Sequence, residues 1–220
     1  MLLLSPGVAN SWQRIMSVWI TVLLLLACLS ACTSLKRFAY EGYKRDEWQQ
    51  PDKVVTALQL KAGDKVADLG SGGGYFTFRL AEAVGDSGVV YAVDVDQGLL
   101  DYVKKTAEEK GYHNIKTVLA KTDDAGLPAN TLDLIFVCNT YHHLQDKALY
   151  FSRLKQALNN SGRVAIIEFT SGWLKSIGHG TPTEKILSDM QQAGYGLQTQ
   201  FEFLQKQNFL IFQSADQATD

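Results

Sequence analysis

Four short stretches place glycines, acids, amides and histidines at the ends of apolar runs. The first reads Asp68-Leu69-Gly70-Ser71-Gly72-Gly73-Gly74. Glycines at such a turn permit positive φ and let a ligand approach the backbone closely. The helix that follows turns its N-terminus toward a negative group. A glycine-rich turn alone is shared by many nucleotide-binding folds. Asp68, two positions before Gly70, separates them: a carboxylate there repels a pyrophosphate and attracts a cation. The second stretch closes an apolar run with Asp94-Val95-Asp96. A carboxylate at that place accepts two hydrogen bonds from a ribose diol. Asp94 is the first choice, with Asp96 read as a helix N-cap. The third stretch, residues 121–128, holds Asp123 and Asp124 ahead of Leu127-Pro128. The fourth is Asn139-Thr140-Tyr141-His142-His143-Leu144, with Glu168 closing the next apolar run. Its imidazoles can move a proton near neutral pH.

The surrounding pattern alternates short apolar runs with amphipathic segments. Strands are expected over residues 65–69, 89–93, 115–119, 132–138 and 163–169, and helices from Pro51, over 75–84, 99–110, 147–158 and 183–193. Two last strands are expected near 197–204 and 209–212. Strands alternating with helices of about ten residues make a mostly parallel sheet with right-handed crossovers. Ligands then sit beyond the carboxyl ends of the strands, where all four stretches lie.

Asp68, Gly70, Gly72 and Gly74 make the chain resemble the class I S-adenosylmethionine-dependent methyltransferases. That cofactor carries an ammonium and a sulfonium beside its carboxylate, which suits the acid before the glycines. The resemblance covers about residues 51–212. It implies a Rossmann-like, doubly wound α/β fold whose seven-stranded, mostly parallel sheet has the order 3-2-1-4-5-7-6. It implies that the glycine loop holds the methionine part of S-adenosyl-L-methionine, that Asp94 takes the ribose, and that Asp123 contacts the adenine amino group. The family's usual glycine before that last acid is Thr122 here, and Asp124 can exchange roles with Asp123. Asn139 and its neighbours would face the transferable methyl. In-line transfer to a small-molecule or lipid-like acceptor needs mainly proximity and orientation. A base is required only if the acceptor must lose a proton, with His143 the first candidate and Tyr141 the second. Against this stands a packing or capping role for the histidines. Residues 170–181, which include Trp173 and His179, are long enough to cover a site but read first as a plain surface loop, and the aromatic-rich linker 32–50 is read as a possible lid or as a segment resting on a membrane surface.

The N-terminus is of another kind. Residues 15–32 carry no charge, and Leu29-Ser30-Ala31-Cys32 resembles the bacterial lipobox. Residues 1–31 are read as a signal peptide or hydrophobic membrane anchor, and Cys32 as an acylation site giving a periplasm-facing lipoprotein. Lys36, Arg37, Lys44 and Arg45 follow the run, which favours the alternative of an uncleaved anchor with the domain facing the cytoplasm.

The chain of 220 residues, with 46% hydrophobic and 20% charged residues, has length for one domain, here residues 51–220. Its net charge of -2 and pI near 6.1 do not point to nucleic acid. Three scattered cysteines make neither a disulfide framework nor a zinc site, and no metal or protein partner is expected. The competing reading is a non-catalytic membrane-anchored lipoprotein that keeps the fold. A dinucleotide oxidoreductase is disfavoured by Asp68.

Overall fold

The computed structural model describes residues 16–19, 44–170 and 180–215; residues 16–19 are helical. Within 44–215 the order of elements is α1 (Arg45–Gln49), α2 (Pro51–Leu58), β1 (Lys65–Leu69), α3 (Thr77–Val84), β2 (Val89–Asp94), α4 (Gln97–Lys110), β3 (Ile115–Leu119) and β4 (Leu132–Cys138). Then come α5 (Lys147–Leu154), β5 (Leu158–Phe169), α6 (Thr183–Gln192), β6 (Tyr195–Phe201) and β7 (Gln207–Ser214). Single 3-10 turns sit at Tyr141–His143 and Lys155–Ala157.

The seven strands form one sheet in the order 3-2-1-4-5-7-6, and this expectation from the sequence is met. Strands β1 to β5 run parallel, while β7 is antiparallel to both β5 and β6. The central strands are buried on both faces, and their side chains alternate between two cores. Leu134 and Phe136 of β4 pack with Val54 and Leu58 of α2 and Leu80 and Val84 of α3. Ile135 and Val137 pack on the opposite face with Phe151 and Leu154 of α5 and Ile186 and Met190 of α6. Burying 21 described residues in one core and 16 in the other, the large aliphatic and aromatic ones worth roughly 1.5–3 kcal/mol each, fixes the register.

Element ends shift by a few residues from the sequence reading, as in β6 and β7, and two differences are larger. The helix expected over 147–158 stops at Leu154, and β5 begins at Leu158 instead of Arg163. Leu158 is buried and pairs with Leu132, and the register shift between Leu132 and Leu134 absorbs the extra residues around Gly162. A Cβ on Gly162 would stand 2.7 Å from the Leu132 carbonyl oxygen, so the close approach needs glycine. The second difference is α1, a helix inside the stretch read as linker. Asp133, at the opposite end of the sheet from the glycine loop, accepts the Lys65 N–H and an Asn159 amide hydrogen, and it ties three strand starts together.

Among the described residues no helix is long and apolar enough to cross a membrane. The apolar run at 15–32, apart from 16–19, lies outside the described residues, as do Cys32 and the segment 171–179 with Trp173 and His179.

Candidate active site

β1 delivers Asp68 into the interior, where the carboxylate is almost fully buried. The Thr77 hydroxyl donates to it at 2.6 Å. Burial outweighs that bond and the nearby positive charge of Arg45, and the carboxyl pKa rises to about 6. The loop beyond is pinned to its neighbour: the N–H groups of Gly70 and Ser71 both reach the Val93 carbonyl, at 2.8 and 3.0 Å. Gly70 has φ +77°, and a Cβ there would lie 2.1 Å from Thr140 Oγ1. The end of β4 lies against the loop there, with Thr140 Oγ1 3.5 Å from the Gly70 carbonyl oxygen. Gly74 has φ +88° and no room for a Cβ beside Phe78, whereas Gly72 faces open space. Ser71 Oγ is buried without a hydrogen-bond partner.

Asp94 closes β2 and accepts the Gly72 N–H at 2.9 Å through one oxygen and the Asp96 N–H at 2.9 Å through the other. Asp96 caps α4, accepting from the N–H groups of Gly98 and Leu99. Asp123 and Asp124 sit in an exposed turn after β3. Asp124 accepts the Gly126 N–H at 2.9 Å and thereby shapes the turn. The side chain of Asp123 has no such task, and its carbonyl meets the Arg153 guanidinium at 3.5 Å.

At the end of β4 the structure separates the candidates. Asn139 has φ +56°, and its side-chain oxygen accepts from Gln207 at 2.6 Å. Gln207 in turn accepts from Gln49 of α1 at 2.8 Å, so a buried amide chain joins β4, β7 and α1. Tyr141 lies in the core: it is fully buried, stacks on Phe151 and donates its hydroxyl to Asp189 at 2.9 Å. That placement turns the hydroxyl away from the glycine loop and into the layer beneath α5 and α6, and burial with the Asp189 carboxylate raises its pKa well above the ordinary tyrosine range. His143 is exposed. It is His142 that meets Glu168: Nδ1 stands 3.0 Å from both carboxylate oxygens, and the backbone N–H reaches one of them at 3.2 Å. Glu168 is fully buried and also accepts the Phe169 N–H. The sequence puts His143 first and Tyr141 second; the signal for His142 is that Glu168 closes the neighbouring strand β5. Cys138 is buried, with its thiol pushed up to about 12 by desolvation.

Sequence reading also left α1 without residues. The Arg45 guanidinium lies over the Tyr75 ring, 3.7 Å from its centroid, and Tyr75 donates to Asp46 at 2.5 Å. Trp48 packs on Phe169 at 5.6 Å. Among the described residues no group of three His, Cys, Asp or Glu side chains is placed to hold a metal.

The model of the methyltransferase domain family matches residues 60–213. Among curated proteins, the aklanonic acid methyltransferase of Streptomyces sp. strain C5 is 33% identical over 119 residues, 54% of this chain and 53% of that protein. A ubiquinone/menaquinone biosynthesis C-methyltransferase of Teredinibacter turnerae is 28% identical over 112 residues, 50% of this chain and 45% of that protein. The chain thus spans about half the length of the curated relatives it matches. The crystal structure of a SAM-dependent methyltransferase from Aquifex aeolicus superposes with a TM-score of 0.72 at 26% identity, over 80% of this chain and 96% of that one. With the family model covering most of the chain and the sheet order matching, this chain belongs to the class I S-adenosylmethionine-dependent methyltransferase family.

Proposed function

We propose that this chain moves the methyl group of S-adenosylmethionine to a small organic acceptor held at the carboxyl edge of β4 and β5. The observation that carries the reading is the glycine loop. Its backbone is clamped by Asp94, its first glycine has no room for a side chain, and a buried hydroxyl at Ser71 waits unpaired. A buried hydroxyl without a partner is costly and marks a place built for a polar ligand. Asp68 behind the loop suits the cofactor's cationic end, Asp94 the ribose, and Asp123 the adenine amino group. Asn139 acts on the site from its place beside Thr140.

The cofactor supplies an electrophilic methyl carbon on sulfonium. What remains for the protein is orientation and, for a protic acceptor, removal of a proton. The Glu168 carboxylate accepts the Nδ1–H of His142, which leaves Nε2 of that ring as the basic nitrogen. His142 is the residue this reading favours for the proton. His143 lies next in line on the exposed side, and Tyr141 supports the wall from within.

Acceptor class is read from the surroundings and from the relatives. Trp48 packs on Phe169 at the end of β5, and the Lys206 ammonium stands 6.0 Å from the Trp48 ring. An aromatic or polyketide-like acid or quinol matches such a wall. The relatives named for aklanonic acid and for ubiquinone and menaquinone biosynthesis support the same choice. A lipid-like acceptor accords with an N-terminal membrane tether through Cys32, for which the lipobox-like Leu29-Ser30-Ala31-Cys32 is the support. Replacing Cys32 by Ser tests the tether: release from the membrane fraction supports acylation, and retention supports an uncleaved anchor. The methyltransferase reading itself is tested by incubating the full chain with labelled S-adenosylmethionine and a demethylated quinol extract. Label in the organic phase supports it, and none with any quinol, phenol or carboxylic acid pool contradicts it.

A further inference from the structure

Helix α1 has five residues, too few to hold itself in water. It is fixed by what it touches. Gln49 is fully buried and donates to Gln207 at 2.8 Å, and Asp46 accepts from Tyr75 at 2.5 Å and from Arg79 at 3.3 Å. These bonds latch the helix across the edge of the sheet. They also hold Arg45 in one place. Its Nε donates to Gln49 at 2.9 Å, its guanidinium covers the Tyr75 ring at 3.7 Å, and its Nη2 stands 4.0 Å from Cys138 Sγ. Tyr75 follows Gly74 directly. Cys138 continues the pairing of Leu69 with Val137, so it stands opposite Gly70. The guanidinium therefore lies between Tyr75, which follows the last glycine of the loop, and Cys138, which closes β4.

We infer that Arg45 is a cofactor-binding residue, and that with Asp68 it clamps the α-amino acid end of the cofactor, guanidinium to carboxylate and carboxylate to ammonium. This rests on the cofactor reading above. The chemistry follows from charge. An amino acid end carries both signs, and Asp68 answers only the positive one. A carboxylate brought beside the buried Asp68 needs a cation within reach, since like charges in a desolvated site repel strongly. Arg45 supplies it in the planar, two-pronged form that suits a carboxylate. Burial raises the pKa of both Asp68 and Cys138, and the charge of Arg45 opposes that rise at each. The loop contributes backbone N–H groups but no cationic side chain.

The test is calorimetric titration of the full chain with S-adenosylhomocysteine and with its decarboxylated analogue, which keeps the amine and lacks the carboxylate. The wild type should prefer the carboxylate-bearing compound by about 10- to 100-fold. Arg45→Gln should weaken S-adenosylhomocysteine by that factor, leave the analogue within about twofold, and so erase the preference. Arg45→Lys should restore part of it. A preference that survives in Arg45→Gln, or equal weakening of both compounds as from a loosened helix, overturns the assignment. A wild type that binds neither compound instead overturns the cofactor reading itself, and that result is seen without any variant.

Discussion

One oxygen of Asp94 holds the N–H of Gly72 at 2.9 Å, so the residue that ends β2 sets the shape of the loop that follows β1. The pairing is a consequence of the parallel register, in which Leu69 stands beside Val93. A single carboxylate thereby serves as a brace for the loop, and keeps further lone pairs for a ribose. Asp94→Ala should remove both functions. It should lower stability by about 1–3 kcal/mol and weaken S-adenosylhomocysteine at least 100-fold. Chemical denaturation and calorimetry on the same preparation check the two effects.

The pKa of Asp68 gives a pH dependence with a defined sign. Its folded value of about 6 lies above the ordinary 3.8, so between these values the folded state holds more protons than the unfolded state. Stability therefore falls as pH rises through that window, by on the order of 3 kcal/mol in total. Asp68→Asn should flatten this dependence. A cationic ligand end prefers the ionised acid, so cofactor affinity should decline as pH drops below about 6. Titrations at pH 5, 6 and 7.5 in wild type and Asp68→Asn check both statements.

Gly70→Ala places a methyl 2.1 Å from Thr140 Oγ1 and 2.7 Å from Thr140 Cβ, at φ +77°. Rotating the threonine relieves the first contact but not the second. The variant should lose roughly 2–4 kcal/mol and cofactor binding together. Gly72→Ala, at a site with open space and φ +54°, should lose less stability. Thermal melts of the two variants decide the order.

Most of the sheet was legible because strand period and turn residues agree. The runs at 115–119 and 132–138 match the observed strands in full. The start of β5 was hidden because Asn159, Asn160, Ser161 and Gly162 read as a turn, while the buried Leu158 ahead of them pairs across the sheet. Helix α1 was hidden for another reason. A five-residue segment with one buried side chain has no period to detect, and its order comes from Gln207, Tyr75 and Arg79, distant in sequence. In the site, the glycines and acids are local signals. The contact of His142 with Glu168 spans 26 residues and depends on β4 lying beside β5.

Tyr141 and His142 are adjacent in sequence and opposite in surroundings. Tyr141→Phe removes one buried hydrogen bond to Asp189, so it should cost about 1–2 kcal/mol and leave cofactor affinity within twofold. Glu168→Ala frees two backbone N–H groups and the His142 ring. It should cost more, roughly 2–4 kcal/mol, and change the His142 tautomer read by nitrogen NMR. A tautomer unchanged in Glu168→Ala would show that this carboxylate does not orient the ring.

The central claim is that the loop at Gly70 to Gly74 holds S-adenosylmethionine. Calorimetric titration of the full chain with S-adenosylhomocysteine, beside NAD and with Asp94→Ala as control, tests it most directly. Micromolar binding of S-adenosylhomocysteine, none of NAD, and loss of binding in the control is the predicted result. A folded wild type that takes up NAD, or neither compound, would contradict it.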